Sequence, residues 1–183
     1  ETIINSLNLK VDGFAILALG KLGGRELNYS SDIDLFFIAQ TNENNYQKIG
    51  QNIIKALTQV SAKGFLYRVD MRLRPWGSVG TLVPGIEESI EYFNKHARIW
   101  EKQAMLKARI IAGDEKVGQK FLQTIKFLIF DLPEEQLRKE VLEMKRRIEA
   151  GLKRKGHYWG EVKGGEGSMR RTSYSHAQRI QRG

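Results

Sequence analysis

Gly20-Lys21-Leu22-Gly23-Gly24-Arg25-Glu26-Leu27-Asn28-Tyr29-Ser30-Ser31-Asp32-Ile33-Asp34-Leu35-Phe36-Phe37-Ile38 runs from a glycine-rich turn into an apolar segment that carries two acids. Just before it, Phe14-Ala15-Ile16-Leu17-Ala18-Leu19 is a short apolar run closed by Gly20, which reads as a buried strand. Gly23-Gly24 then marks a turn that leads into a short helix or loop. Ile33 to Ile38 reads as a second strand, with Asp32 and Asp34 set into an otherwise apolar sequence.

Outward from this centre, Asn42 to Asn45 is a polar turn. Ile49, Ile53, Ala56, Leu57 and Val60 then recur at helical spacing, so a helix is expected from Tyr46 to Ala62, ended by Gly64. Phe65 to Leu73 is the expected third strand. Pro75 and Gly77 break it, and Val79 to Val83 is expected to pair back as a hairpin. From Ile86, the positions Ile90, Phe93, Ala97, Trp100, Ala104, Ala108 and Ile111 predict one long helix stopped by Gly113. Asp114 is placed to N-cap the next helix, marked by Val117, Phe121, Ile125, Leu128 and Ile129. Pro133 opens a last helix with the stripe Leu137, Val141, Met144, Ile148 and Leu152. The expected class is α+β, a small mixed sheet followed by a helical bundle. Its expected divisions are an α/β core over 1–85, a helical part over 86–155 and a basic tail over 156–183.

The residues that carry chemistry are Asp32, Asp34 and Asp70. Side chains alternate along a strand, so Asp32 and Asp34 project together, about 7 Å apart at Cα. Two neighbouring carboxylates in apolar sequence repel and are costly to bury unless their charge is matched. A divalent cation meets both needs, and an oxygen-only ligand set suits Mg²⁺ or Mn²⁺. On the third expected strand Asp70, Arg72 and Arg74 share one face. An acid can complete a metal site, and arginine forks suit phosphate oxygens. Metal with arginine is the equipment of phosphoryl or nucleotidyl transfer. The glycine turn would let backbone approach a phosphate, although the Gly-x4-Gly-Lys-Ser/Thr order of a P-loop is absent. Taken singly, a Gly-Gly pair is a turn, an Asp-x-Asp is a solvated strand end, and Asp70 could pair with Arg68 or Arg72. Taken in order, the three features point to function.

Composition sets the outer bounds. The chain has 183 residues, no cysteine and three histidines, His96, His157 and His176. Disulfide scaffolds, thiol catalysis and cysteine-ligated metal sites are excluded. No apolar run is long enough to span a bilayer and no signal-peptide pattern opens the sequence, so a cytoplasmic location without membrane contact is expected. The net charge of +9 invites a nucleic-acid reading. However, residues 1–145 carry 20 basic and 18 acidic side chains, whereas 146–183 carry 10 and 3. The excess lies in the last fifth of the chain and argues against a nucleic-acid partner for the rest. The absence of an initiator methionine at Glu1 and the Arg- and Ser-rich end suggest a piece of a longer protein.

The ordered motifs resemble the DNA polymerase β-like nucleotidyltransferase superfamily. More narrowly, Gly20 to Phe37, then Tyr67-Arg68-Val69-Asp70-Met71-Arg72-Leu73-Arg74-Pro75 with Gly77 and Gly80, then Trp100-Glu101-Lys102-Gln103-Ala104-Met105-Leu106-Lys107-Ala108-Arg109 with Gly113-Asp114, resemble the glutamine synthetase adenylyltransferase family. The resemblance covers roughly 12–167. It implies a polymerase-β-like core that uses Mg²⁺ (or Mn²⁺) and takes ATP, or phosphate with release of ADP. The target is a tyrosine of glutamine synthetase, and PII is the nitrogen-signalling partner. Members carry two opposed catalytic domains, one attaching AMP and one removing it by phosphorolysis. Arg68 and Arg170 look more like the removing domain. The resemblance implies catalytic and metal-binding roles for Asp32, Asp34 and Asp70. It implies nucleotide or phosphate contacts from Lys21, Gly23, Gly24, Ser31, Arg72 and Arg74. Lys107 and Arg109, read on one helix, cannot share a face closely, so at most one is expected to reach phosphate. After Val162 to Arg170 the sequence departs from the family, with Arg171-Thr172-Ser173-Tyr174-Ser175-His176 where an acidic-apolar continuation is usual. That departure puts a complete site in doubt. The rival readings are another nucleotidyltransferase, acting on RNA ends or a small molecule, and an interaction module that kept the fold and lost turnover.

Overall fold

The structure, a computed structural model, describes residues 11–29, 31–61, 64, 65, 67–130, 135, 138, 139, 142, 143, 146, 147 and 150. By their internal contacts, 1–129 and 130–183 form two compact units. In the first, strand β1 (Phe14–Ala18) leads into a single helical turn, α1 (Gly20–Gly23), and then β2 (Ile33–Ala39). Helix α2 (Asn44–Thr58) follows, then a small hairpin of β3 (Val60–Ser61) and β4 (Gly64–Phe65), and the short β5 (Val69–Asp70). Helices α3 (Ile86–Lys95) and α4 (Ile99–Ala104) precede β6 (Arg109–Gly113) and α5 (Glu115–Phe130). In the second unit, every described residue from 135 onward is helical, and Arg147 pairs with Glu143 one turn away.

The sheet order is β5-β2-β1-β6. β1 runs antiparallel to both β2 and β6, whereas β5 lies parallel to β2, so the sheet is mixed and the class is α+β as expected. The alternation read from sequence holds in β2. Ile33, Leu35 and Phe37 join Phe14, Ile16, Ile53 and Val83 on one face, where α2 packs. Phe36 and Ile38 join Ala15, Leu17, Ile86, Phe93, Phe121 and Ile125 on the other, under α3 and α5. Phe36 stacks on Phe121 at 5.2 Å between ring centroids and meets Phe93 edge-on. Burying a side chain of this size stabilises by roughly 1.5–3 kcal/mol, so the two faces of β1 and β2 supply the core. Asp114 caps α5 as expected: its Oδ1 accepts the N–H groups of Lys116 and Val117, and its Oδ2 accepts that of Gly13.

Three expectations give way to tertiary pairing. The long helix from Ile86 to Ile111 stops at Lys95, restarts where the Glu101 carboxylate accepts the Arg98 N–H, and becomes strand β6 after a 3-10 turn at Met105–Lys107. The free edge of β1 needs a partner, and the β-branched Ile110-Ile111 fills it. The helix before the third strand ends at Thr58, because Val60 and Ser61 pair with Gly64 and Phe65. The third strand is reduced to Val69–Asp70, and Val79 lies in a 3-10 turn in place of a hairpin. The expectations for Pro133, Leu137, Val141, Met144, Ile148 and Leu152 fall outside the described residues. So do those for Ser30, Arg170, His157 and His176 and the tail 156–183.

Candidate active site

The site forms at the end of the sheet where α1 leaves β1. The β2–β5 register aligns Ile33 with Val69 and Asp34 with Asp70. Ile33 and Val69 face the α2 core, so Asp34 and Asp70 share the opposite face. Strand parity, which the sequence provides, and strand order, which it does not, together make these two carboxylates lateral neighbours. Gly20 sits against Asp34. Its backbone is left-handed, with φ +53°, and a Cβ there would overlap Asp34 Oδ2 and lie 3.3 Å from Asp34 Cγ. The Leu19 N–H donates to the Asp34 carbonyl at 2.9 Å, so glycine turn and acid are tied by backbone as well.

Each of the other two acids carries a guanidinium. Arg68 Nε lies 2.6 Å from Asp32 Oδ1, and both side chains are more than half exposed. Arg72 grips Asp70 by a fork, Nε at 3.0 Å from both carboxylate oxygens and Nη2 at 2.5 Å from Oδ2, and the Arg72 N–H donates to Oδ1 at 2.9 Å. The side-chain bonds from Arg72 hold the Asp70 carboxyl below its ordinary range. Asp70 in turn raises the Arg72 guanidinium, and Asp34 and Asp32 add to the effect, so all three acids act on one cation.

The expected phosphate ligands divide. Arg72 stands among the acids, but Arg74 is turned to backbone. Its guanidinium donates to the carbonyls of Met71, Ser78 and Gly80, which locks the loop after β5. Burial pushes its pKa down. Because β5 ends at Asp70, Arg72 and Arg74 do not continue a common strand face. Lys21, Gly23 and Gly24 lie on and just after α1, with Gly23 buried. Ser31 is half-buried, its N–H bonded to the Asn28 carbonyl.

Two residues matter more than the sequence reading allowed. Lys107 and Arg109, placed on a 3-10 turn and a strand rather than one helix, both turn to the glycine segment. Lys107 Nζ pairs with Glu26 at 2.8 Å, and Arg109 donates to the carbonyls of Leu22 and Gly23 at 3.0 and 3.3 Å. Their i, i+2 spacing was the available signal, hidden by the helical periodicity around it.

The donor set suits a hard divalent cation: carboxylate oxygen only, with Asp34 and Asp70 in register and Asp32 just before β2. In the arrangement seen, no three acidic or histidine side chains among the described residues converge on one point. Arg68 and Arg72 supply the positive charge. The exposed Arg68–Asp32 pair is worth about 1 kcal/mol or less, so Arg68 is readily displaced, whereas Arg72 holds Asp70 by several bonds; the oxygen donors themselves are of the kind such an ion takes. Among the described residues, no helix is long and apolar enough to cross a membrane.

The family model described as glutamate-ammonia ligase adenylyltransferase matches residues 3–124. The bifunctional glutamine synthetase adenylyltransferase/adenylyl-removing enzyme of Thioalkalivibrio sulfidiphilus is 40% identical over 126 residues, 63% of this chain and 13% of that protein. Its namesake from Psychromonas ingrahamii is 39% identical over 180 residues, 88% of this chain and 18% of that protein. A solved toxin–antitoxin structure with AMP-PNP aligns over 83% of this chain and 88% of its own, at TM-score 0.31 and 14% identity, too distant to carry an argument. The chain thus spans less than a fifth of the length of these curated relatives. The family model covers more than half of the chain, and the chain belongs to the glutamate-ammonia ligase adenylyltransferase family.

Proposed function

We propose that this chain is a nucleotidyl-transfer domain that handles AMP on a tyrosine of glutamine synthetase, and that it runs the phosphorolytic, removing direction. The observation that carries the reading is the register of Asp34 with Asp70, together with a left-handed Gly20 whose missing Cβ leaves room for the Asp34 carboxylate. An acid pair built against a glycine turn is the arrangement that phosphoryl chemistry needs, because catalysis there is positioning and charge stabilisation.

Asp32, Asp34 and Asp70 would hold a magnesium or manganese ion. When bound, that ion supplies charge neutralisation and alignment at the phosphorus under attack. In the removing direction inorganic phosphate attacks the AMP phosphorus, the bond to the tyrosyl oxygen breaks, that oxygen takes up a proton, and ADP leaves. In this reading Arg72 releases Asp70 and turns its fork to phosphate oxygens. Arg68, which precedes Val69-Asp70 as in the removing domains of the family, does the same from Asp32. Lys21, Gly23, Gly24 and Ser31 line the phosphate side, with the turn held by Arg109. Arg74 serves by locking the loop that carries Arg72. Glutamine synthetase is the partner, with PII as the regulatory partner the resemblance implies.

The test is to incubate the chain with Mg²⁺, phosphate and adenylylated glutamine synthetase, and separately with Mg²⁺, ATP and the unmodified enzyme. ADP release in the first mixture is expected. AMP incorporation in the second would reverse the direction. The pairing of Asp32 and Asp70 with arginines favours one other reading, an interaction module without turnover, and silence in both mixtures would establish it.

A further inference from the structure

Trp76 is an exposed indole fixed in place. It is half exposed, yet its backbone is left-handed, φ +62°, an uncommon conformation for a bulky residue. Its ring meets Tyr92 at 5.0 Å between centroids, edge to face, and His96 at 5.0 Å. Tyr92 is itself pinned: its hydroxyl donates to Glu101 Oε1 at 2.6 Å and is hydrogen-bonded by the Trp76 backbone. Arg74 clamps the loop on either side of Trp76 through the carbonyls of Met71 and Gly80. Among the described residues other large aromatics are exposed, namely Tyr29, Tyr67, Trp100 and Phe127, but none of them has a ring neighbour. Exposure costs an indole its burial, and the backbone adds strain, so the local structure holds this ring out by several independent contacts.

The ring also stands on the right side of the sheet. Tyr92, against which it rests, belongs to the core face shared by Phe36 and Ile38, the face toward which Asp34 and Asp70 point. Trp76 lies six residues beyond Asp70 and four beyond Arg72. We propose that the exposed face of Trp76 is the stacking platform for the purine ring of the nucleotide, with Tyr92 and His96 backing it. The proposal rests on the nucleotidyl-transfer reading and adds how the base is recognised. A flat, pre-ordered indole binds a base without paying for side-chain ordering.

The test is calorimetric titration of the whole chain, with Mg²⁺ present, using ADP and inorganic tripolyphosphate as paired probes. The parent should bind ADP more tightly than tripolyphosphate. Trp76→Leu should weaken ADP by about tenfold or more, the range of one lost base–aromatic stack, and leave tripolyphosphate unchanged. Trp76→Phe should keep most of the ADP affinity. Unchanged ADP binding in Trp76→Leu overturns the inference and leaves the nucleotidyl-transfer reading intact. So does an equal loss of both probes, since a base contact cannot act on a ligand with no base. A parent that binds neither probe would sink both.

Discussion

Replacing Gly20 by alanine separates the two things this residue does. The first is conformational: a side chain at φ +53° pays for the left-handed region, about 1–2 kcal/mol. For a unit of this size that lowers Tm by roughly 4–8 °C. The second is steric. The new Cβ would occupy the space of Asp34 Oδ2, with Asp34 Cγ at 3.3 Å, so the carboxylate must rotate or the turn must lift by about 1 Å. A displacement of that size at a reacting centre costs on the order of 100-fold in rate. Gly64 provides the control. It too is left-handed, φ +102°, but a Cβ there meets nothing within 4 Å. Gly64→Ala should therefore lower Tm by a similar amount and leave turnover alone. The assay is ADP release from adenylylated glutamine synthetase at a temperature where both variants are folded, alongside thermal melts followed by circular dichroism. Equal turnover in Gly20→Ala and Gly64→Ala would refute the claim that Gly20 exists to make room for Asp34.

Three further outcomes are expected. Asp114→Ala removes the cap of α5 and the acceptor for Gly13, a loss of about 1–2 kcal/mol in a denaturant titration. Because the Gly13 N–H and the helix N–H groups hold the Asp114 carboxyl below its ordinary range, its contribution is present above the unfolded carboxylate pKa. It should fade as pH falls through the lower folded value, and the Asp114→Ala chain should lack this acid-side loss. Arg109→Gln frees the Leu22 and Gly23 carbonyls and should reduce turnover more than it reduces Tm, since the loss falls on the glycine turn and not on the core. Burial and the bond to Glu101 push the Tyr92 phenol up to about 12, so an ultraviolet titration should show a late tyrosine step that belongs to Tyr92. The stability that goes with this shift is intact below the unfolded tyrosine value and is lost as pH rises toward 12, and Tyr92→Phe should remove that late step.

How much of the site was legible follows from where each residue gets its direction. The alternation of Ile33, Leu35 and Phe37 against Phe36 and Ile38 was readable because strand parity is local. Asp114 was readable as a cap because a cap answers only to the helix after it. Arg74 was misplaced onto the face of Asp70 because the sequence suggested a strand to Leu73, whereas the chain leaves the sheet after two paired residues and wraps Arg74 onto its own carbonyls. Lys107 and Arg109 were separated by a helical reading of a segment that the edge of β1 draws into the sheet. Their common aim at the glycine turn appears only once β6 is paired.

From the sequence alone came the two central strands, the faces of their apolar side chains, and the presence of a helix after each of Asn44 and Asp114, though not the end of the first. Each of these is written in periodicity or in a single terminal hydrogen bond. It took the folded chain to show that β5 runs parallel beside β2 with Asp70 level with Asp34, that 109–113 is a strand, and that Trp76 is held half exposed against Tyr92 and His96. These depend on long-range pairing, in which a backbone edge with unmet hydrogen bonds outweighs the helical pattern of the segment that satisfies it. The charge of +9, the loudest feature of the composition, decided none of it, because its excess belongs to 146–183 and the acids of the candidate site, Asp32 and Asp70, are each paired with an arginine.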